Sequence, residues 1–181
     1  MAGFEPLREE RVHHGHVIDV YRSWFRAPDG TEIVRDVVRH PGAVAALPLL
    51  DSGEVVLVRQ FRAPFGREML EIPAGKLDVA GEDLAAAAAR ELAEEVGLAA
   101  GRMEPLVRYN GSVGFCDEVI HVFLATELTP VAHERQGPEE EHMEEVRLTL
   151  DDALAAVWAG DITDGKTVVG LLAARVRAAG R

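Results

Sequence analysis

The chain has 181 residues, 48% of them apolar and 6% aromatic, enough for one domain with a buried core and a small appendage. Its formal net charge of −12 argues against a nucleic-acid polymer as partner, because a phosphate backbone is held by a basic surface. A small anionic substrate remains compatible with that charge, since acidic clusters bind divalent cations and those cations bind phosphates.

Met1-Ala2-Gly3-Phe4-Glu5-Pro6 has no basic start leading into an apolar run, so no secretory signal is expected. No apolar run reaches the roughly 18 residues that a membrane span needs. The single cysteine, Cys116, can form no internal disulfide, which fits a cytoplasmic protein. Val17–Arg26 and Thr31–Arg39 are rich in β-branched and aromatic residues around Pro28-Asp29-Gly30, which predicts an antiparallel hairpin. Pro41-Gly42 breaks the pattern, dividing an N-terminal β region, residues 1–40, from a larger domain, residues 41–181. Two apolar runs follow, Ala43–Leu50 and Val55–Phe61, around the turn residues Asp51-Ser52-Gly53. Glu68–Gly75 reads as a short strand ending at Pro73. Asp83–Val96 is strongly helical, opened by acidic residues and stopped by Gly97. Strands are expected at Met103–Tyr109, Glu118–Ala125 and Val146–Leu150, and helices at Asp151–Ala159 and Lys166–Ala179. Strands on either side of a central helix, with helices closing the chain, predict an α/β sandwich with a mixed sheet.

At about 100° per residue, Glu91, Glu94 and Glu95 share one face of the Asp83–Val96 helix, beside an apolar stripe of Leu84, Ala88, Leu92 and Val96. The stripe suits a sheet, leaving the acidic edge for a cleft. Alone, Glu-x-x-Glu-Glu describes a solvated helix face. If the face is functional, its hard oxygens suit Mg²⁺ or Mn²⁺.

Gly75, six residues, Glu82, seven residues, then Arg90-Glu91-Leu92-Ala93-Glu94-Glu95-Val96-Gly97-Leu98 closely resembles the Nudix box. That box is glycine, five residues, glutamate, seven residues, then Arg-Glu-aliphatic-x-Glu-Glu-x-Gly-aliphatic. Every fixed position from Glu82 onward matches, and the loop before it is one residue longer. The resemblance implies an α/β/α Nudix fold and hydrolysis of a pyrophosphate bond. It assigns metal binding to Glu91, Glu94 and Glu95, with the Ala74 carbonyl as a further ligand. Arg90 would orient the glutamates, and Glu82 would support them.

Gly42-Ala43-Val44, Val58-Arg59-Gln60-Phe61-Arg62, Glu71-Ile72-Pro73-Ala74-Gly75 and Gly114-Phe115-Cys116-Asp117-Glu118 together resemble the ADP-ribose pyrophosphatases within that family. Such a protein would cut ADP-ribose into AMP and ribose 5-phosphate as a homodimer whose N-terminal strands exchange between subunits. Trp24 or Phe25 would stack on adenine, and Arg35 or Arg62 would hold polar groups, with Ser112 and Glu118 as further substrate contacts. For the two aromatics, ordinary sheet packing is the competing explanation. Val113 stands where this subfamily carries a proline. In Pro138-Glu139-Glu140-Glu141, otherwise a solvated loop, the resemblance implies a general base and another metal ligand. Glu139 and Glu141 are the choices, with Glu141 as the ligand. A sugar nucleotide, a dinucleoside polyphosphate or an oxidised nucleotide are alternative substrates, and a nucleotide-sensing module without catalysis is the alternative from another class. His13-His14-Gly15-His16 reads as exposed histidines at a strand entry rather than a metal site, and Cys116 as a packing residue.

Overall fold

Between Glu5 and Arg39 the chain forms three antiparallel strands, β1 (Glu5–His14), β2 (Asp19–Arg26) and β3 (Glu32–Arg39), where the sequence pattern indicated two. β2 and β3 make the expected hairpin, in register from Asp19 opposite Arg39 to Arg26 opposite Glu32. β1 escaped notice because its Glu5-Pro6-Leu7-Arg8-Glu9-Glu10-Arg11 run has no apolar alternation, and nearly all of it is exposed. It is tied to β2 by polar pairs instead: Arg26 Nη1 donates to Glu5 Oε2 at 2.9 Å and Ser23 Oγ to Glu9 Oε1 at 2.8 Å.

In the computed structural model, which describes residues 3–132 and 141–180, this sheet belongs to one of two compact units. That unit comprises the residues up to Gly42 and also Asn110–Val119. The distant segment joins through a parallel bridge between Val38 and Cys116: the Val38 N–H donates to the Phe115 carbonyl at 2.7 Å and the Asp117 N–H to the Val38 carbonyl at 3.1 Å. Arg39 Nη1 donates to Asp117 Oδ2 at 3.0 Å and the His40 N–H to Asp117 Oδ1 at 2.9 Å.

The second unit spans Ala43–Tyr109 and the residues from Ile120 on. Its strands are β4 (Ala43–Pro48), β5 (Glu54–Arg62), β6 (Arg67–Glu71), β7 (Ala74–Lys76), β8 (Leu98–Asn110), β9 (Val119–Pro130) and β10 (Glu144–Thr149). Its helices are α1 (Leu84–Val96), α2 (Leu150–Ala159) and α3 (Gly165–Ala179). One sheet runs β7-β4-β9-β8 and the other β10-β5-β6. β4 pairs parallel with β9 but antiparallel with β7, so the sheet is mixed. β6 does end before Pro73, as the sequence implied, but the chain re-enters a sheet at once as β7.

The apolar runs of β4 and β5 are continuous because both faces are covered. Ala45, Leu47, Val55 and Leu57 point to a core shared with Leu154 of α2 and Leu171 of α3. Their neighbours Ala46, Val56 and Val58 pack with Leu92 and Val96 of α1. One helix on one face and two on the other make the α/β/α sandwich of this unit. Among the described residues no helix is long and apolar enough to cross a membrane.

Candidate active site

The first turn of α1 is fixed by Asp83, whose Oδ1 accepts the N–H groups of Ala85 at 3.0 Å and Ala86 at 3.1 Å. Gly97 ends the helix in the left-handed region at φ 63°, where residues with a Cβ are strained. Between the caps, Ala87, Ala88, Leu92 and Val96 are buried. Glu91 and Glu95 are buried too, at 9% and 4% exposure. The acidic edge is thus mostly interior rather than a solvated helix face, and the reason lies in what packs against it. The Ala74 N–H donates to Glu95 Oε2 at 3.1 Å, and Gly75 lies directly on Glu91. A Cβ built on Gly75 would overlap the Glu91 carboxylate, so only a glycine admits this approach.

Arg90 gathers the remaining carboxylates. Its Nε and Nη2 donate to the two oxygens of Glu82 at 3.2 and 3.3 Å, and its Nη1 lies 2.9 Å from Glu91 Oε1 and 3.0 Å from Glu94 Oε2. The hydrogen bonds that Arg90 donates to Glu82, assisted by the charges of Glu91 and Glu94, raise the guanidinium pKa above its ordinary value. One guanidinium thus stands among three carboxylates, and Glu95, on the same helix as Glu91 and Glu94, adds a fourth. Such an acid surplus attracts cations. Among the described residues no three His, Cys, Asp or Glu side chains converge in the geometry of a metal ion, because Glu82, Glu91 and Glu94 turn to Arg90 while Glu95 turns to Ala74. The donor set itself, hard carboxylate oxygens beside a backbone free of Cβ, fits Mg²⁺ or Mn²⁺.

A second cluster adjoins Ala74 through the chain. Glu71, at the end of β6, is buried, and both its oxygens accept from Arg62, Oε1 from Nε at 2.6 Å and Oε2 from Nη2 at 2.7 Å. Lys166 Nζ also bonds Glu71 Oε2, and lies 3.1 Å from Asp164 Oδ1. Burial alone would push the Glu71 carboxyl up, but Arg62 and Lys166 outweigh it and hold the pKa below the ordinary carboxylate value. Asp164 caps α3, accepting the Thr167 N–H at 3.0 Å and its hydroxyl at 2.6 Å, while Thr167 Oγ1 accepts the Ile72 N–H at 2.9 Å. Sequence reasoning passed over Glu71, Asp164 and Lys166. The available signal was a single charge inside the apolar Met69-Leu70-Glu71-Ile72 run, since a buried charge requires a partner.

Other candidate residues are placed as follows. Arg62 is committed to Glu71 rather than open on both edges. Glu141 is exposed, while Glu139 lies outside the described residues. In the N-terminal unit, Trp24 carries the Arg8 guanidinium over its ring at 4.0 Å, and Phe25 lies between Pro6 and Ile33 in the sheet. Arg35 is exposed, its Nη1 donating to the Val34 carbonyl at 2.7 Å. The Ser112 carbonyl accepts from Phe115 and Cys116 N–H groups at 3.1 and 2.9 Å, and Glu118 Oε1 is 3.5 Å from His40 Nδ1. Val113, the residue in place of proline, is 84% exposed at the tip of that turn. His14 is paired with Asp19 at 2.6 Å.

The NUDIX domain family model matches residues 39–167. The chain is 41% identical over 163 residues to an ADP-ribose pyrophosphatase of Bacillus subtilis (strain 168), covering 90% of this chain and 88% of that protein. It is 37% identical over 165 residues to a methanol dehydrogenase activator of Bacillus methanolicus, covering 91% and 89%. Its fold is similar to a crystal structure of an ADP compounds hydrolase, with a TM-score of 0.87 and 23% identity over 98% of this chain and 95% of that one. The box on α1, the glycine packed against Glu91 and the match over residues 39–167 agree: the chain belongs to the Nudix family of pyrophosphate hydrolases.

Proposed function

We propose that the chain hydrolyses the pyrophosphate bond of ADP-ribose, giving AMP and ribose 5-phosphate, and that it requires Mg²⁺ or Mn²⁺. The observation that carries this reading is the carboxylate cluster of Glu82, Glu91, Glu94 and Glu95 around Arg90, in a chain 41% identical over most of its length to an ADP-ribose pyrophosphatase. Glu91, Glu94 and Glu95 would hold the metal, with the Ala74 carbonyl and Glu141 as further ligands. When bound, the metal neutralises the pyrophosphate charge and acidifies the attacking water.

The chain's own groups do the rest. Arg90 balances part of the acid cluster and keeps its carboxylates in place. A carboxylate, Glu139 or Glu141, takes the proton of the water as the water oxygen bonds to phosphorus and the bond to the bridging oxygen breaks. Arg62, with its fork of donors, suits a phosphate, and Arg35, Ser112 and Glu118 are further substrate contacts. Trp24 or Phe25 stacks on adenine. The same reading makes the protein a homodimer through its N-terminal strands, supported by the exposed Phe4, Val12 and Val34.

The test is a substrate panel of ADP-ribose, a sugar nucleotide, a dinucleoside polyphosphate and an oxidised nucleotide, each with Mg²⁺, Mn²⁺ or EDTA. ADP-ribose should show the highest kcat/KM and no turnover in EDTA. Preference for another member by tenfold or more overturns the substrate, and binding without turnover favours a sensing module. Glu95→Gln should lower kcat at least about a hundredfold, equal to ~2.7 kcal/mol of transition-state stabilisation.

A further inference from the structure

Glu71 has two cations where one would suffice. A buried carboxylate needs a charged partner, and stripping it of its sole partner is strongly unfavourable. Here Arg62 and Lys166 both bond it, so either can leave without stranding the charge.

The two cations are not equivalent. The Lys166 side chain is 13% exposed and the Arg62 side chain 38%. Lys166 is also held from behind: Asp164 lies 3.1 Å from its Nζ, and Thr167, fully buried, ties the start of α3 to Ile72, the residue after Glu71. Among the described residues the Arg62 guanidinium hydrogen-bonds to Glu71 alone, and Arg62 ends β5. Alternation along β5 sets its direction. Val58 packs with Leu92 and Val96 of α1, so Gln60 and Arg62, two and four residues on, lie on the α1 side of the sheet. Glu71 stands opposite Val58 in the β5–β6 pairing and shares that side. The guanidinium is therefore on the same face as the helix that carries Glu91 and Glu95, and the Glu95 charge is among those that act on it.

We propose that Lys166 is a positioning residue which keeps the Glu71 carboxylate compensated, so that the Arg62 guanidinium can pass from Glu71 to a phosphate of the substrate. A guanidinium fork matches carboxylate and phosphate oxygens alike, so the exchange replaces one bidentate pair by another. Without Lys166, Arg62 would be the one cation left on Glu71 among the described residues and would be retained by it. The inference rests on the reading of the site as one for a nucleoside diphosphate derivative.

Lys166→Met and Lys166→Gln remove the charge, and Lys166→Arg keeps it. Two readouts are used. In steady state on ADP-ribose, the two neutral variants should raise KM about tenfold or more with kcat changed less than about threefold, and Lys166→Arg should restore KM. In calorimetry with Mg²⁺, adenosine 5′-(α,β-methylene)diphosphate, whose bridging carbon cannot be hydrolysed, should bind about tenfold more weakly to the neutral variants. This second readout needs no turnover, so it stands even if ADP-ribose proves the wrong substrate. Lys166→Gln retains a hydrogen-bond donor, so recovery of binding in that variant would indicate a structural role and overturn the proposal. Equal binding by wild type and all variants would overturn it too, as would a complex in which Arg62 still bridges both oxygens of Glu71.

Discussion

Replacing Gly75 by alanine should disable the site while sparing the fold. The new Cβ would point at the Glu91 carboxylate, and even the farther oxygen, Oε2, would lie 2.5 Å from it, against the 3.4 Å at which ordinary contact begins. The carboxylate must then retreat by about 1 Å or more, and it can, because it is the end of a flexible side chain rather than backbone. A displacement of that size at a reacting centre can cost about a hundredfold in rate, or ~2.7 kcal/mol. Stability should move little: alanine gains roughly 0.5–1 kcal/mol over glycine in a regular element, offsetting the disturbed bond between Glu91 and Arg90. At roughly 2–4 °C per kcal/mol for a chain of this size, Tm should stay within a few degrees of wild type. The assay is AMP release from ADP-ribose across a Mg²⁺ titration, with circular dichroism for Tm. Gly180→Ala is the control, because the atom nearest its Cβ would be at an ordinary 3.6 Å. If Gly75→Ala keeps kcat within about threefold of wild type at the same Mg²⁺ optimum, the position of Glu91 is not what activity depends on.

Glu139 and Glu141 separate by kinetics. Whichever of Glu139→Gln and Glu141→Gln removes the base should lower kcat far more than KM, whereas loss of a metal ligand should be partly rescued by high Mg²⁺; two silent variants would place both roles elsewhere. Light scattering should find the full chain dimeric and a chain beginning at His40 monomeric and poorly active, since that truncation also removes Val38 and Arg39, the partners of Cys116 and Asp117; a fully active truncated monomer would refute a site shared between subunits, and a monomeric full chain would refute the dimer. Glu71 sets the acid limit of one contribution to stability. Its folded pKa lies below the ordinary 4.5, so that contribution is present above pH 4.5 and is lost as pH falls through the folded value. Glu71→Gln should flatten the decline of Tm on the acid side, and parallel curves would show that the buried pair contributes nothing there.

What could be read directly was whatever neighbouring residues decide among themselves. The helix α1 followed from its alanine-rich run between Asp83 and Gly97, and the shared face of Glu91, Glu94 and Glu95 followed from helical geometry alone. β4 and β5 announced themselves as apolar runs, because burial on both faces leaves no polar alternation. None of this says what an element packs against. β1 carries charges along its whole length and is a strand only because β2 lies beside it. The sequence left the glutamates of α1 an edge facing a cleft, but did not show that Ala74 bonds Glu95 and Gly75 lies on Glu91. Glu71 and Lys166 meet across 95 positions of sequence, and Asp117 reaches back 78 positions to Arg39. Such pairings depend on how sheets and helices stack, and a local pattern holds no record of that: it marks which side chains seek burial or a countercharge, and tertiary packing selects the partner.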